Sequence, residues 1–284
     1  MTEVCDANLA ISVDKAGGIG SISPGELRQH SWFISECHKF TKERGHSNFV
    51  LALPLSVIIT RDVDASFLPL LKEIRPRYLL ILYEGSLIEK AVYNTLCIIL
   101  DKLRCLDIKT ICRDVGYTKG DVAHTSKIFD YITLKGNNSA GYCNTKIGNM
   151  TDSKSSLEIL KSFKERYPDT KFIATGGIYT KKEVDQHFEA GAEAIEIGSL
   201  FALSKESSIN AQLKEKIFFE IKNKCLQTKA VNGKNMYAPF DGKSLYEGVN
   251  GNLDKGFIFL GNKIGSIDYF IEKSVEEIMK DLTC

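Results

Sequence analysis

The stretch Lys171–Leu203, KFIATGGIYTKKEVDQHFEAGAEAIEIGSLFAL, constrains the fold more than any other part of the chain. Phe172–Ala174 is a short apolar run stopped by Thr175-Gly176-Gly177. Lys181–Glu189 has helical spacing, with Val184 and Phe188 four residues apart. Ala194–Ile197 is apolar on alternate positions and stops at Gly198-Ser199, which opens a further helix. Strands alternating with helices predict parallel strands joined by crossovers. Both glycine turns fall at the C-terminal ends of their strands. Backbone N–H groups and a helix N-terminus can hold a phosphate there without any basic side chain. The loops after the last two strands of a TIM barrel commonly do this.

The rest of the chain extends the pattern. Further strands are predicted at Ile19–Ile22, Phe49–Leu53, Tyr78–Leu82, Lys109–Arg113 and Tyr131–Leu134, which makes seven. Helices are predicted over Thr2–Lys15, Ser31–Arg44, Asp64–Ile74, Ile88–Leu103, Thr118–Phe129 and Ser155–Tyr167. Ser23-Pro24-Gly25-Glu26 has the form of a capping box. After the last strand, Leu200–Leu226 reads as largely helical. Gln227–Asn262, rich in Gly, Asn and Tyr, reads as an irregular excursion. Ser266–Leu282 reads as a C-terminal helix with Ile267, Phe270, Ile271, Val275 and Ile278 on one stripe.

The fold expected is therefore α/β, a TIM (β/α)8-type barrel over residues 1–226 with a C-terminal extension, 227–284, packed on it. A chain of 284 residues suits one such barrel, which takes about 250. Seven strands are one too few, because the chain begins with what reads as the helix after the first strand. Three readings stay open: a barrel that lacks its first strand, a gap filled by another segment or a partner chain, or a miscounted strand. An unfilled gap exposes two sheet edges, so a partner subunit or a homo-oligomer is an expectation that follows from it.

Composition narrows the function classes. The formal net charge is +1, so no broad basic field draws nucleic acid or an anionic membrane. No apolar run approaches the ~20 residues of a membrane span. The N-terminal MTEVCDANLAISV carries acids where a secretion signal needs bases, and the expected location is the cytoplasm. The eight cysteines form no CxxC pair and no zinc-like cluster. They read as scattered reduced thiols, with no metal site.

Four segments in order carry a family resemblance: AGGIGSISPGELR at Ala16–Arg28, YITLKGNNSAGY at Tyr131–Tyr142, IATGGIYT, and GAEAIEIGSLF. Together they resemble the nitronate monooxygenase (2-nitropropane dioxygenase-like) family. The enoyl reductases of polyketide and polyunsaturated fatty acid synthases are a related branch. The resemblance runs roughly from Ala7 to Leu226, with a weaker echo in GNKIGSIDYFIEKSVEEIMKDL. It implies an FMN-binding TIM barrel and an oxidoreductase, passing electrons to oxygen or to an activated double bond. It implies that Gly176, Gly177, Gly198 and Ser199 hold the cofactor phosphate. Gly18, with Gly17 in the AGG turn, is implied as a further cofactor contact. The chain departs from the family at the other end of the cofactor. The usual first strand is absent, Ala52 stands where the family has asparagine, Lys135 replaces the glutamine of a QG pair, and Tyr142 in SAGYC aligns with the catalytic histidine.

These departures set the catalytic candidates. Lys135 at a strand's C-terminal end can stabilise the anionic reduced ring beside N1–C2=O; the bland alternative is a solvated lysine. Tyr142, with an ordinary pKa of ~10, is a usable acid and a poor base at neutral pH; the alternative is a tyrosine packed on the rim. Cys143 has nothing in its local sequence that lowers its pKa. Arg113, Asp114 and Glu84 end strands, and a rim salt bridge is the favoured reading of them. His124 and His187 fall on helices and read as surface or packing residues. FDGKS at Phe240–Ser244 lacks the first glycine and the strand of a P-loop. The missing histidine argues against ordinary nitronate oxidation and for a hydride transfer, a specialised biosynthetic step, or loss of activity. The substrate, a small or carrier-bound molecule, is expected to enter near Tyr142 and the excursion. Two other classes remain: a non-catalytic subunit that completes its barrel with a partner, and a non-flavin sugar-phosphate barrel acting as a lyase or isomerase.

Overall fold

The computed structural model describes residues 4–23, 30–59, 63–83, 90–114, 119–142, 154–227, 229–231, 234–236, 250, 258–261, 263–267 and 271–284. The chain opens with α1 (Ala7–Lys15), β1 (Ser21–Ile22), α2 (His30–Arg44), β2 (Val50–Pro54), α3 (Leu55–Ile59), α4 (Leu68–Ile74) and β3 (Tyr78–Tyr83). It continues with α5 (Lys90–Cys105), β4 (Lys109–Asp114), α6 (Lys119–Ile128), β5 (Tyr131–Lys135), β6 (Gly141–Tyr142), α7 (Ser156–Arg166), β7 (Phe172–Thr175) and α8 (Lys181–Glu189). Last come β8 (Ala194–Glu196), α9 (Ser199–Ala202), α10 (Ala211–Lys222), β9 (Lys229–Val231), β10 (Lys234–Met236) and a final helix, α11 (Val275–Thr283).

The seven strands expected from the sequence form one parallel sheet in the order β1-β2-β3-β4-β5-β7-β8. It is curled into a TIM-type barrel wall. Among the described residues β1 and β8 do not pair with each other, and Cys5 lies beside the end of β1, its carbonyl accepting from the Ser23 N–H at 3.1 Å. Register fixes which residues face inward. Val50, Tyr78 and Lys109 lie in one row, and Ala52, Leu80 and Ile111 in the next. Ala52, Leu80 and Ile111 are buried together inside the barrel, flanked by Val50, Tyr78, Leu82, Tyr131 and Ile173. The opposite parity, including Leu51, Leu53, Leu79, Ile81, Ile132 and Phe172, joins the larger core between sheet and helices. Burial on both faces is why these strands read as continuous apolar runs rather than alternating ones.

Local sequence explains where the helices start. Ser155 and Thr180 each form a capping box, with Glu158 and Glu183 reaching back to the cap, so α7 and α8 begin where the sequence predicts. The same device overturns one prediction. The C-terminal helix was expected from Ser266, but it begins at Val275, because Ser274 adopts an extended backbone and closes a capping box with Glu277. Ile264–Ser266 is a single 3₁₀ turn instead, and Ile271 of the expected stripe is 72% exposed. Leu200–Leu226 is likewise divided: α9 ends at Ala202, and Asn210 caps a new start for α10. We expect Ser274→Ala to lower stability by about 1 kcal/mol, read as a shift in denaturant midpoint with an unchanged slope.

The extension packs on the barrel. Val275, Ile278 and Leu282 of α11 share a second core with Val4 and Leu9 beside α1, with α9 and α10, and with Ile258, Leu260 and Ile264. A small antiparallel sheet, β6-β10-β9, ties the excursion to the loop after β5: Lys234 lies opposite Tyr142 and Asn235 opposite Gly141. Neither segment carries a strand signal in its sequence. No helix among the described residues is long and apolar enough to cross a membrane.

Candidate active site at the mouth of the barrel

Parallel strands place all their C-terminal ends at one mouth, and the predicted phosphate residues meet there. Gly176 and Gly177 follow β7 with φ of +98° and +74°, a region open to glycine and strained for other residues. Their backbones press against the loop after β5. A Cβ added at Gly176 would overlap the Ser139 hydroxyl, and one at Gly177 would lie 2.7 Å from the Asn138 Cβ. Gly198 precedes α9 and caps it with no side chain, while Ser199 opens the helix and is buried. The result is a cradle made of backbone, the arrangement that suits an anion approaching closely.

One contributor was missed. Gly261, from the extension, donates its N–H to the Ser199 Oγ at 3.0 Å. A Cβ at Gly261 would stand 2.6 Å from the Asn138 carbonyl oxygen and would also strike the Tyr179 hydroxyl. Burial pushes the Tyr179 hydroxyl up to about 12, although its hydrogen bond with Ser199 works in the opposite direction. Tyr179 is therefore protonated at any physiological pH, with its OH beside Ser199. The signal for Gly261 in the sequence was the family echo beginning at GNKIGS, which carries no position in space by itself. We expect Gly261→Ala to loosen the extension from the mouth, detected as faster amide exchange in Ile258–Leu260 with the barrel strands unaffected.

Gly18 is not brought to this cradle. It lies in the turn before β1, at the N-terminal end of the strands, opposite the mouth. Its N–H donates to the Val13 carbonyl at 2.9 Å, and an added Cβ would meet the Val13 and Met279 side chains. Close packing of α1, β1 and α11 accounts for glycine at that position.

The inner face of the mouth is charged. Register aligns Lys135 with Thr175, and Thr175 with Glu196, in one row around the wall. Arg113, two residues beyond Ile111 and so on the inward parity, reaches across the barrel from β4 and pairs with Glu196 of β8. The salt bridge expected of Arg113 is therefore present, and because these two strands are not neighbours in the sheet it runs across the mouth. Thr175 donates its hydroxyl to the Glu196 backbone carbonyl at 2.9 Å. Burial alone would raise the Glu196 carboxyl, but the Arg113 guanidinium, with Lys135 further off, outweighs it and holds Glu196 below the ordinary range. Glu196 was missed because its run read as an alternating strand. Its neighbour Ile195 packs in the core outside the sheet, so strand alternation turns Glu196 inward.

The remaining candidates divide. The backbone of Tyr142 is in β6, within reach of the excursion, but its side chain lies outside the described residues. Cys143, Glu84 and the FDGKS segment, together with the side chains of Asp114 and His124, also lie outside them. Ala52 is buried in the barrel's apolar interior. His187, read as surface or packing, is buried and hydrogen-bonded at both ring nitrogens.

Comparison with known proteins bears on this mouth directly. Residues 120–239 match the family model of nitronate monooxygenase. The matched segment contains Lys135, Tyr142, the Gly176–Gly177 turn and Gly198-Ser199, while Arg113 and Gly261 fall outside it. FabK from Thermotoga maritima is similar in structure, with a TM-score of 0.75 at 18% identity, covering 99% of this chain and 89% of that one. A single-residue variant of the same protein gives a TM-score of 0.72 at 19% identity, covering 98% and 86%. Nitroalkane oxidase from Streptomyces ansochromogenes gives a TM-score of 0.72 at 14% identity, covering 98% and 91%. No curated protein matches the chain by sequence. The family resemblance read from the sequence is borne out by the match over residues 120–239, and the barrel fold by the similar structures.

Proposed function

We propose that the protein is an FMN-dependent oxidoreductase of the nitronate monooxygenase family whose chemistry differs from nitronate oxidation. The observation that carries this reading is the backbone cradle itself, in which Gly176, Gly177, Gly198 and Gly261 converge with Ser199 and Tyr179. No basic side chain is needed there, because backbone N–H groups of glycine turns can hold a phosphate monoester. The flavin, when held, supplies hydride and single-electron chemistry.

The chain's own residues then have distinct tasks. Gly176, Gly177 and Ser199 hold the phosphate. Lys135 and Arg113 bring positive charge to the strand ends beside the Glu196 carboxylate, where it suits an anionic ring edge. Ala52, Leu80 and Ile111 fill the barrel beneath and keep water from the inner face. Tyr142 is the candidate proton donor to a small or carrier-bound substrate, entering beside the β6-β10-β9 sheet. A tyrosine there serves as an acid rather than as the base that nitronate oxidation needs.

A second reading, a subunit that completes its barrel with a partner or a second copy, draws on one observation: β1 and β8 do not pair with each other among the described residues. Absorbance tests the first reading. Protein purified from cells, or reconstituted with FMN, should be yellow with bands near ~370 and ~450 nm. Protein that stays colourless after reconstitution contradicts it. Light scattering tests the second, which a stable monomer at micromolar concentration contradicts.

A further inference from the structure

Behind the Gly176–Gly177 turn lies a buried chain of three short polar contacts that the proposed chemistry does not use. His187 Nδ1 is 2.6 Å from the Glu183 carbonyl oxygen. Its Nε2 is 2.9 Å from the Ser156 Oγ. The Ser156 Oγ is 2.9 Å from the Gly176 carbonyl oxygen. Ser156 and His187 are both almost completely buried, so water does not break the chain.

Proton counting shows what the chain requires. Both ends are carbonyl oxygens, which only accept. Nδ1 must carry a proton to hold the Glu183 carbonyl. A neutral ring then has a bare Nε2, which takes the one Ser156 proton. The Ser156 Oγ is left facing the Gly176 oxygen with lone pairs opposed. An imidazolium satisfies all three contacts: Nδ1–H to Glu183, Nε2–H to Ser156 Oγ, and Ser156 O–H to Gly176.

We propose that His187 is a positioning residue for a phosphate monoester bound at the mouth, its ring taking up a proton through which Ser156 fixes the Gly176–Gly177 turn. This rests on the reading of the cradle as a phosphate site. In the free protein, burial holds the His187 ring below its ordinary range and Lys263 adds to this, while the Glu183 carbonyl and carboxylate oppose it. From the elements packed against α8, α7 presents the Ser156 hydroxyl, and the segment before α11 presents Lys263, which pairs with Glu183 at 3.8 Å. Near neutral pH the free ring is therefore mainly neutral and the last contact lacks its proton. A phosphate dianion beside the turn supplies the charge that draws a proton in. By linkage, the phosphate binds tighter as pH falls through the ring's titration.

Calorimetry of FMN binding near about pH 7.5, in buffers of different ionisation enthalpy, counts the protons. The full chain should take up a clear fraction of a proton, at most about half for a tenfold stronger hold, and Ser156→Ala and His187→Gln close to none. Affinity lost between about pH 5 and about pH 8 should be roughly tenfold greater in the wild type than in either variant, as follows if bound phosphate strengthens the ring's hold on its proton about tenfold. Equal proton uptake in all three proteins overturns the proposal. A second readout needs no cofactor. In the isotope-labelled free protein, the Gly177 amide should titrate with the His187 ring nitrogens, and Ser156→Ala should uncouple them. An amide that ignores the ring, or follows it equally in Ser156→Ala, also overturns the proposal. Coupled titration in a protein that binds no FMN would sink the flavin reading and leave the relay standing.

Discussion

Gly176→Ala is expected to lose about 2–4 kcal/mol of stability and most of its affinity for a phosphate-bearing cofactor. Two costs add. Gly176 has φ of +98°, where an L side chain is strained. The new methyl would also overlap the Ser139 Oγ and lie 2.8 Å from the Ser139 Cβ, in a loop whose backbone is held by the Ser139 N–H to Gly136 carbonyl bond. Denaturant unfolding followed by tyrosine fluorescence and by circular dichroism measures the first effect, and FMN titration measures the second. Adding Ser139→Gly should return the steric share and leave the φ share. An Ala variant as stable as the wild type would mean that the turn relaxes at no cost, and that the cradle is less rigid than its contacts indicate.

Arg113→Leu is expected to be the most damaging change on the inner face. It leaves the Glu196 carboxylate partly desolvated and without the guanidinium that does most to hold its charge. Glu196 is 37% exposed toward the mouth, so solvent screens part of the loss, and about 1–3 kcal/mol is the expected cost. The double variant Arg113→Leu/Glu196→Gln should be less destabilised than Arg113→Leu alone, because the unpaired charge is gone. A cycle with no coupling would show that the pair is inert. The pH dependence has a defined sign. The folded-state pKa of Glu196 lies below its unfolded value, so its contribution is complete above the unfolded pKa. That contribution is lost as pH falls through the depressed value. Glu196→Gln should remove this acid-side arm of the stability profile and leave the neutral region flat.

Much of this was legible in the sequence. The seven barrel strands lie where apolar runs stop at glycine, proline or a charge, because strands buried on both faces leave that signature whatever surrounds them. The turn after β7 was legible because the positive φ and close packing of Gly176 and Gly177 disfavour other residue types. What stayed hidden depends on distance in space. Arg113 and Glu196 are 83 positions apart and meet only because the barrel curls. Gly261 reaches Ser199 across 62 positions from a segment that read as irregular. The start of α11 was misplaced because an apolar stripe continued upstream of Ser274, and the capping box, a local rule, overrode it. His187 read as packing because its partners are backbone carbonyls and a serine, which leave no pattern around a histidine.

The central claim is that this mouth holds a flavin by its phosphate. Titrating the same protein preparation with FMN and with riboflavin, by quenching of flavin fluorescence, tests it most directly. At least two charge-assisted backbone bonds to phosphate predict that FMN binds about a hundredfold more tightly or better. Gly176→Ala should bring the two ligands close to parity by weakening FMN alone. Equal affinity for FMN and riboflavin in the wild-type protein, or no binding of either, would contradict the claim.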